Sequence, residues 1–394
     1  MNVRDYLPNS LSNESIRQLL RSLRLPEPQS IRPLDFSGEY HAIYMISFFP
    51  NVAASLLPAQ PTSDGSVTLV LRVSGKHYPH IKTANEVAVM TWLHENTTIP
   101  VPAVIRYDSS GENPIGHEFT LLEKVSGESA DKLYPSLDAD IKKKLVLQLT
   151  AFVIELHSHS QQWQHVGGLR IQSDGTVGPG PVLEETMWQI PAIQKFWGQD
   201  ETSDTLNISG PYTCYTEYAS AHLKRYQYAI SKHPSLASMR DLVPRIDALI
   251  SVLEKHADTL NKTRYILAHK DLHFGNVMCD PETGMITAVL DWEFSAVVPI
   301  QLWNRPSAFL WNCDRNWPLS KSEQDIWMKV FSDECDARSV PIIEEARASP
   351  LQEAMQDVVD HLRSIVEVAP RGIQEDDVPK WRAVVEARME KFGV

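Results

Sequence analysis

Three hard-oxygen side chains at fixed spacing constrain this chain more than any other feature. Asp271 and Asn276 lie in the run His269-Lys-Asp-Leu-His273-Phe-Gly-Asn276, and Asp291 follows Asn276 by fifteen residues within Val289-Leu-Asp291-Trp-Glu293. The run before Asp271, Tyr265 to Ala268, is apolar and strand-like. Beyond it, Val277-Met-Cys279 and Ile286 to Leu290 flank a turn at Asp280-Pro-Glu-Thr-Gly284. This pattern predicts a β-hairpin that carries Asp291 back beside Asn276.

Such a constellation suits the movement of a nucleotide's terminal phosphoryl group. That reaction needs an acceptor hydroxyl held in line and Mg²⁺ to neutralise charge spread over the phosphate oxygens, so positioning and electrostatics supply most of the catalysis. A loop carboxylate such as Asp271 can accept a hydrogen bond from the acceptor, while the amide oxygen of Asn276 and the carboxylate of Asp291 can share the metal. The competing interpretation is structural. A lone Asp and Asn five residues apart most often cap a turn or a helix. The strand before them, His269 two residues ahead of Asp271, and the length of the hairpin favour the chemical reading.

On these residues, His269 to Asn276 and Leu290-Asp291-Trp292-Glu293, the chain resembles the aminoglycoside phosphotransferase and choline kinase-like family, and in particular its diverged fungal members. Weaker similarity runs from about residue 30 to about residue 315. The resemblance implies an α+β, two-lobed protein-kinase-like fold, with a small lobe made of an antiparallel sheet plus one helix and a large, mainly helical lobe. It implies Asp271 as the catalytic base and Asn276 and Asp291 as Mg²⁺ ligands. ATP and Mg²⁺ are the implied cofactors.

Within that frame, protein kinases place a lysine on the strand here read as Val67 to Val73, paired with a glutamate on the next helix. This chain has Arg72 instead, and Glu86 stands in the first turns of a helical pattern over Asn85 to Leu93. Arginine stays cationic and its fork suits phosphate, which supports nucleotide binding and leaves turnover open. A surface ion pair between Arg72 and Glu86, worth little, is the alternative. Gly38, in Ser37-Gly38-Glu39-Tyr40-His41, holds the position of a phosphate-covering loop, although such a turn also joins ordinary hairpins. The apolar strand Glu118 to Val125 leads into Ser126-Gly127, read as the hinge. By resemblance the Glu123 carbonyl and the Val125 amide face the adenine. His269 is expected to be a buried scaffold for the loop, and His273 either approaches phosphate or packs against it.

The remaining chain sets the architecture. A length of 394 residues suits two or three cores rather than one. The expected division is an N-terminal helical extension over 1–29, a nucleotide-binding lobe over 30–125 and a large helical lobe over 126–394. Amphipathic periodicity predicts helices at Asn13 to Arg24, Ile141 to Leu156, Glu217 to Ser231, Leu242 to Leu260, Gln324 to Cys335, Leu351 to Val368 and Val378 to Lys391. His157 and His159 read as helix caps rather than metal ligands, and the glycines at 167–168 and 175–180 as loops. Between Glu184 and Tyr215, Trp188, Trp197, Tyr212 and Tyr215 mingle with Glu184, Glu185, Asp200, Glu201 and Asp204. These groups either recognise a cationic amine or simply cover the lobe.

A hydrophobic share of 43% with 22% charged residues describes a globular chain. A net charge of −13 argues against nucleic-acid and anionic-membrane partners. The four cysteines show no C-x-x-C spacing, and no apolar run approaches a membrane span, so a cytoplasmic protein is expected. The resulting expectation is an ATP-dependent kinase acting on a small-molecule hydroxyl, such as an aminoglycoside or amino alcohol. A non-catalytic nucleotide- or metabolite-binding pseudokinase is the rival, and a protein kinase is disfavoured because no Ala-Pro-Glu activation segment is visible.

Overall fold

The computed structural model describes residues 6–34, 40–303 and 320–394. The expected loop glycine, Gly38, lies outside the described residues.

The chain opens with helix α1, Asn13–Ser22, whose N-terminus is capped by the Ser12 hydroxyl accepting from the Ser15 amide. Its apolar stripe buries Ile16, Leu19 and Leu20. They join a core built by a five-stranded sheet: β1 Ser30–Pro33, β2 His41–Phe48, β3 Val67–Ser74, β4 Val104–Asp108 and β5 Phe119–Glu123. The order is β1-β2-β3-β5-β4, antiparallel throughout. Because side chains alternate across a strand, Val67, Leu69, Leu71 and Val73 of β3 enter this core, and Arg72 faces the other way.

Helix α2, Ile81–Asn96, receives that second face. The pattern at 85–93 marked only its middle, and the helix starts four residues earlier. It is buried on nearly every side, with Val87, Ala88, Val89, Met90, Trp92 and Leu93 joined by Lys82, Thr83, Asn85 and Glu86. A helix apolar on one side and polar yet buried on another has weak amphipathic contrast, which is why its start was hard to read.

The second lobe is mainly helical, and its principal helices are Ala139–Ser158, Tyr215–Lys232, Val243–Lys255, Lys321–Ala337, Pro350–Val368 and Val378–Met389. Together they enclose one large apolar core. The continuous helix expected to Leu260 breaks instead at His256, where a separate turn, Ala257–Leu260, begins. His159 is the C-cap residue of Ala139–Ser158, but His157 turns inward and places Nε2 2.6 Å from Glu345. The region around 167–180, expected as loops, contains a short antiparallel pair, Leu169–Ile171 with Val177–Pro179.

Two further strand pairs frame the loop of interest. Tyr265–Ala268 pairs with Ala296–Pro299, and Val277–Cys279 pairs with Ile286–Val289. The turn between the latter is held by Asp280 Oδ1, which accepts from the amides of Glu282 and Thr283. The fold is the expected two-lobed α+β arrangement. No helix among the described residues is long and apolar enough to cross a membrane.

Candidate active site

Asp271 and Asn276 leave the strand Tyr265–Ala268 on a tight loop that ends in the 3-10 turn Phe274–Asn276. Two side chains shape this loop. His269, buried, donates from Nε2 to the Leu290 carbonyl at 2.8 Å and accepts at Nδ1 from the Asp271 amide at 3.3 Å. Both ring nitrogens are thus used by backbone. Burial lowers its pKa, which suits a neutral ring in one tautomer. Asn276 donates from Nδ2 to the Asp271 carbonyl at 2.9 Å and lies 3.4 Å from Asp271 Oδ2. The Asp271 carboxylate itself is half exposed.

His273 caps the 3-10 turn by accepting from the Gly275 amide at 3.0 Å, and its Nε2 stands 3.6 Å from Asp271 Oδ2. The neighbouring Asp271 raises the His273 pKa against the opposing effect of burial. This ring therefore packs the loop and lies beside the carboxylate at once.

The hairpin returns Asp291 to the same place. The Leu290 amide donates to the Asn276 carbonyl at 2.8 Å, so Asp271, Asn276 and Asp291 converge as the spacing predicts. Asp291 adopts φ 65°, a left-handed conformation uncommon for a non-glycine residue, and Lys270 does likewise at φ 68°. Strain at two positions flanking one cleft is typical of functional loops.

Arg72 reaches this cleft from β3. One end of its guanidinium meets Glu86 of α2, and Nη2 lies 2.7 Å from Asp291 Oδ1. The pair with Glu86 is not the surface contact offered as an alternative, because the Glu86 side chain is 1% exposed. Burial opposes ionisation of Asp291, yet Arg72 outweighs it and holds the carboxyl below its usual range.

A second buried cation, Lys82, lies beside it. Its Nζ is 2.7 Å from Glu293 Oε2, 2.8 Å from His41 Nε2 and 3.2 Å from Ser74 Oγ. Burial, then Lys82 and Arg72, drives the His41 pKa well below the ordinary histidine value. Burial outweighs Lys82 at Glu293 and pushes that carboxyl up to about 7. Asn85 completes the contact by donating from Nδ2 to the carbonyls of Glu293 and Ser295, each at 2.9 Å. His41, Lys82 and Asn85 were not read from the sequence, although Lys82, Asn85 and Glu86 share the i, i+3, i+4 spacing of one helix face.

The expected hinge residues stand at and just beyond the end of β5. Glu123 pairs with Leu69 in the sheet, and its side chain accepts from the Ala103 amide at 3.1 Å. Val125 follows two residues later, beside Gly127 at φ 95°, where an added Cβ would crowd the Cys279 carbonyl. Glycine thus lets the hinge approach the hairpin.

On the far side of Asp271 opens a cavity of about 170 Å³. Asp271 and Lys270 line it together with Glu184, Tyr218, Asp360 and Arg363. The acid-and-aromatic segment therefore divides. Glu184 and Glu185 face this cavity, whereas Trp188 and Trp197 pack against each other, with Ala192, Ile193 and Leu206 close by. The contribution of Gln356, Asp360 and Arg363, from the helix Pro350–Val368, was not foreseen, because nothing local in that helix marks a site.

The chemistry of the donor set bears on a metal. An amide oxygen and a carboxylate are hard ligands suited to Mg²⁺, and the Asp291 side chain keeps about a third of its surface exposed. The residues present fit such an ion.

The phosphotransferase enzyme family model, termed APH, matches residues 60–301. The chain belongs to this family. That span covers β3, α2, the hinge and the Asp271 to Asp291 loops. Among curated proteins, a subtelomeric hrmA-associated cluster protein of Aspergillus fumigatus is 26% identical over 262 residues, covering 56% of this chain and 51% of that one. The clavilactone A biosynthesis cluster protein Y of Ampulloclitocybe clavipes is 28% identical over 250 residues, covering 63% and 58%. The chain thus spans about half the length of the curated relatives it matches. The solved structure of the ADP-bound aminoglycoside phosphotransferase APH(2'')-Ib superposes with a TM-score of 0.52 at 15% identity, over 97% of this chain and 99% of that one. This likeness shows the protein-kinase-like fold.

Proposed function

We propose that this phosphotransferase moves the terminal phosphoryl of ATP to a hydroxyl of a small molecule. One observation carries the reading. Asp271 lines a cavity and is tied to Asn276, while the hairpin brings Asp291 to the same cleft. The acceptor would lie in the cavity with its hydroxyl against Asp271. As the acceptor oxygen bonds to the γ-phosphorus, the bond from that phosphorus to the β,γ-bridging oxygen breaks, ADP leaves, and the hydroxyl proton passes to the Asp271 carboxylate. Asn276 and Asp291 would hold Mg²⁺, which supplies neutralisation of phosphate charge when bound. Arg72, aimed by Glu86, would steady the phosphates, and the backbone of Glu123 and Val125 would meet the adenine.

In this reading residues 30–125 form the nucleotide lobe and 126–394 the acceptor lobe, with 1–29 as an extension on the sheet. Acidic groups in the cavity suit an amino alcohol or aminoglycoside. Scattered cysteines, with Cys214, Cys279 and Cys335 free, suit a reducing compartment such as the cytoplasm.

A second reading is favoured by the Arg72 contact with Asp291, which engages a carboxylate otherwise open to a metal. It makes the protein a nucleotide- or metabolite-binding pseudokinase. Mg-ATP consumption across a panel of amino alcohols, aminoglycosides and sugars, with Asp271→Asn as control, separates the two. Acceptor-dependent turnover lost in the variant supports the kinase. Nucleotide binding without turnover in any member of the panel supports the pseudokinase.

A further inference from the structure

Helix α2 presents Lys82, Asn85 and Glu86 on one face, and each is at most 3% exposed. All three converge on a single stretch of chain. Lys82 holds the Glu293 carboxylate, Asn85 holds the carbonyls of Glu293 and Ser295, and Glu86 acts on Asp291 through Arg72. Asn85 is used from both ends, since its Oδ1 accepts from the Leu169 amide at 2.7 Å. Its orientation is therefore fixed by three partners, and an aspartate there would face two carbonyl oxygens. A Cβ at Gly168 would collide with Asn85 Oδ1, so the chain keeps glycine where its backbone meets this amide.

Stability is not the usual reason for such a face. A buried ion pair is often replaceable by apolar groups of similar volume without loss of stability, whereas removing one partner alone is costly. What the face does supply is constraint on a strained segment. Asp291 at φ 65° persists only where its surroundings over-determine the backbone. The contacts on Glu293 and Ser295 begin two residues beyond it.

We propose that Lys82 and Asn85 are positioning residues that lock the Asp291 to Ser295 segment against α2 and so hold the Asp291 carboxylate in the cleft. The functional consequence rests on the reading of Asp291 as a metal-holding group in phosphoryl transfer. The locking itself does not.

The test uses the full chain at about pH 8, with Asn85→Asp and the double variant Lys82→Met, Glu293→Met, which removes both charges together. Hydrogen exchange of the ligand-free protein is followed at the amides of Leu290 and Ser295 and, as reference, in the strand Tyr265–Ala268. Both variants are expected to exchange at least about 10-fold faster at 290–295 with the reference strand unchanged. In turnover, the Mg²⁺ concentration for half-maximal rate should rise about 5- to 20-fold while KM for the acceptor stays put. Unchanged protection at 290–295 overturns the proposal. So does a double variant that no longer folds, because the pair would then serve stability. If the wild-type protein shows no Mg-ATP turnover, the phosphotransfer reading fails and the exchange measurement alone decides the locking.

Discussion

Arg72 and Asp291, 219 residues apart in sequence, are joined by a contact of 2.7 Å that crosses from the sheet lobe to the loop lobe. The same guanidinium is held at its other end by buried Glu86. The fork lets each terminal nitrogen of one guanidinium meet a different carboxylate. Arg72→Met leaves Glu86 buried without its partner, and should cost about 3–5 kcal/mol in denaturant unfolding. Arg72→Lys retains the charge but not the fork, so a smaller loss of stability and a several-fold rise in KM for ATP are expected. A methionine variant within about 0.5 kcal/mol of wild type would show that the bridge carries little.

Asp271 differs from these groups in being half exposed, in the cavity lining. Its carboxylate meets Asn276 and His273, both in its own loop, at long distances of 3.4 and 3.6 Å, so Asp271→Asn should melt near wild type. Turnover should fall by about 10²- to 10⁴-fold, the usual contribution of a positioned proton acceptor. Nucleotide affinity, measured by calorimetry, should change little. Retained activity would remove Asp271 from the reaction.

His269 is the opposite case, buried and serving backbone on both sides. Replacing it by phenylalanine keeps the volume but strands the Leu290 carbonyl and the Asp271 amide. A loss of about 2–4 kcal/mol in urea unfolding is expected from two unsatisfied buried groups. Activity should fall with it, because the same bonds set the loop carrying Asp271. A variant as stable as wild type would mean that water or a shifted loop meets those groups.

Which of these features could be read from sequence follows from their range. The strands at 265–268, 277–279 and 286–289 are local patterns of alternating or apolar residues with a turn between them, and they delivered Asp291 to Asn276 as expected. The helices with clear stripes, such as α1 and Pro350–Val368, were equally legible. Lys82 and Asn85 were not, because a buried polar face has the composition of an exposed one and only its tertiary partners distinguish them. The cavity wall escaped for a related reason. Asp360 and Arg363 lie far along the chain from Asp271, on a helix whose apolar stripe explains its own packing. Likewise Trp188 and Trp197 share a segment with Glu184, yet one turn of chain sends them into a separate apolar cluster.

Cavity residues should separate acceptor binding from nucleotide binding. Tyr218 donates its hydroxyl to Glu184, which also faces His222 at 3.5 Å and Lys270 at 3.7 Å. Tyr218→Phe removes one donor and keeps the ring. Asp360→Asn removes another carboxylate from the cavity lining. Each is expected to raise KM for the acceptor about 5- to 50-fold with KM for ATP within about twofold, the signature of binding lost in one subsite. Parallel change in both constants would place these residues in fold integrity instead.

One contribution to the pH dependence of stability lies away from the cleft, at Glu345. Glu345 Oε2 lies 2.6 Å from His157 Nε2, and Arg264 Nε is 3.1 Å from the same oxygen. Partial burial raises the Glu345 pKa, but His157 and Arg264 together outweigh it and hold the carboxyl below its ordinary value. A carboxyl depressed in the folded state binds its proton later than in the unfolded chain as pH falls. Its contribution is therefore complete above the ordinary glutamate value of about 4.3 and is lost as pH drops through the lower folded value. Glu345→Gln should cost about 1 kcal/mol at neutral pH, discounted because a quarter of the side chain meets solvent. Urea unfolding of both proteins from about pH 7 to about pH 3 should show the gap closing on the acidic side. A gap that stays constant, or widens as pH falls, would contradict the assignment of that stability to the ionised carboxylate.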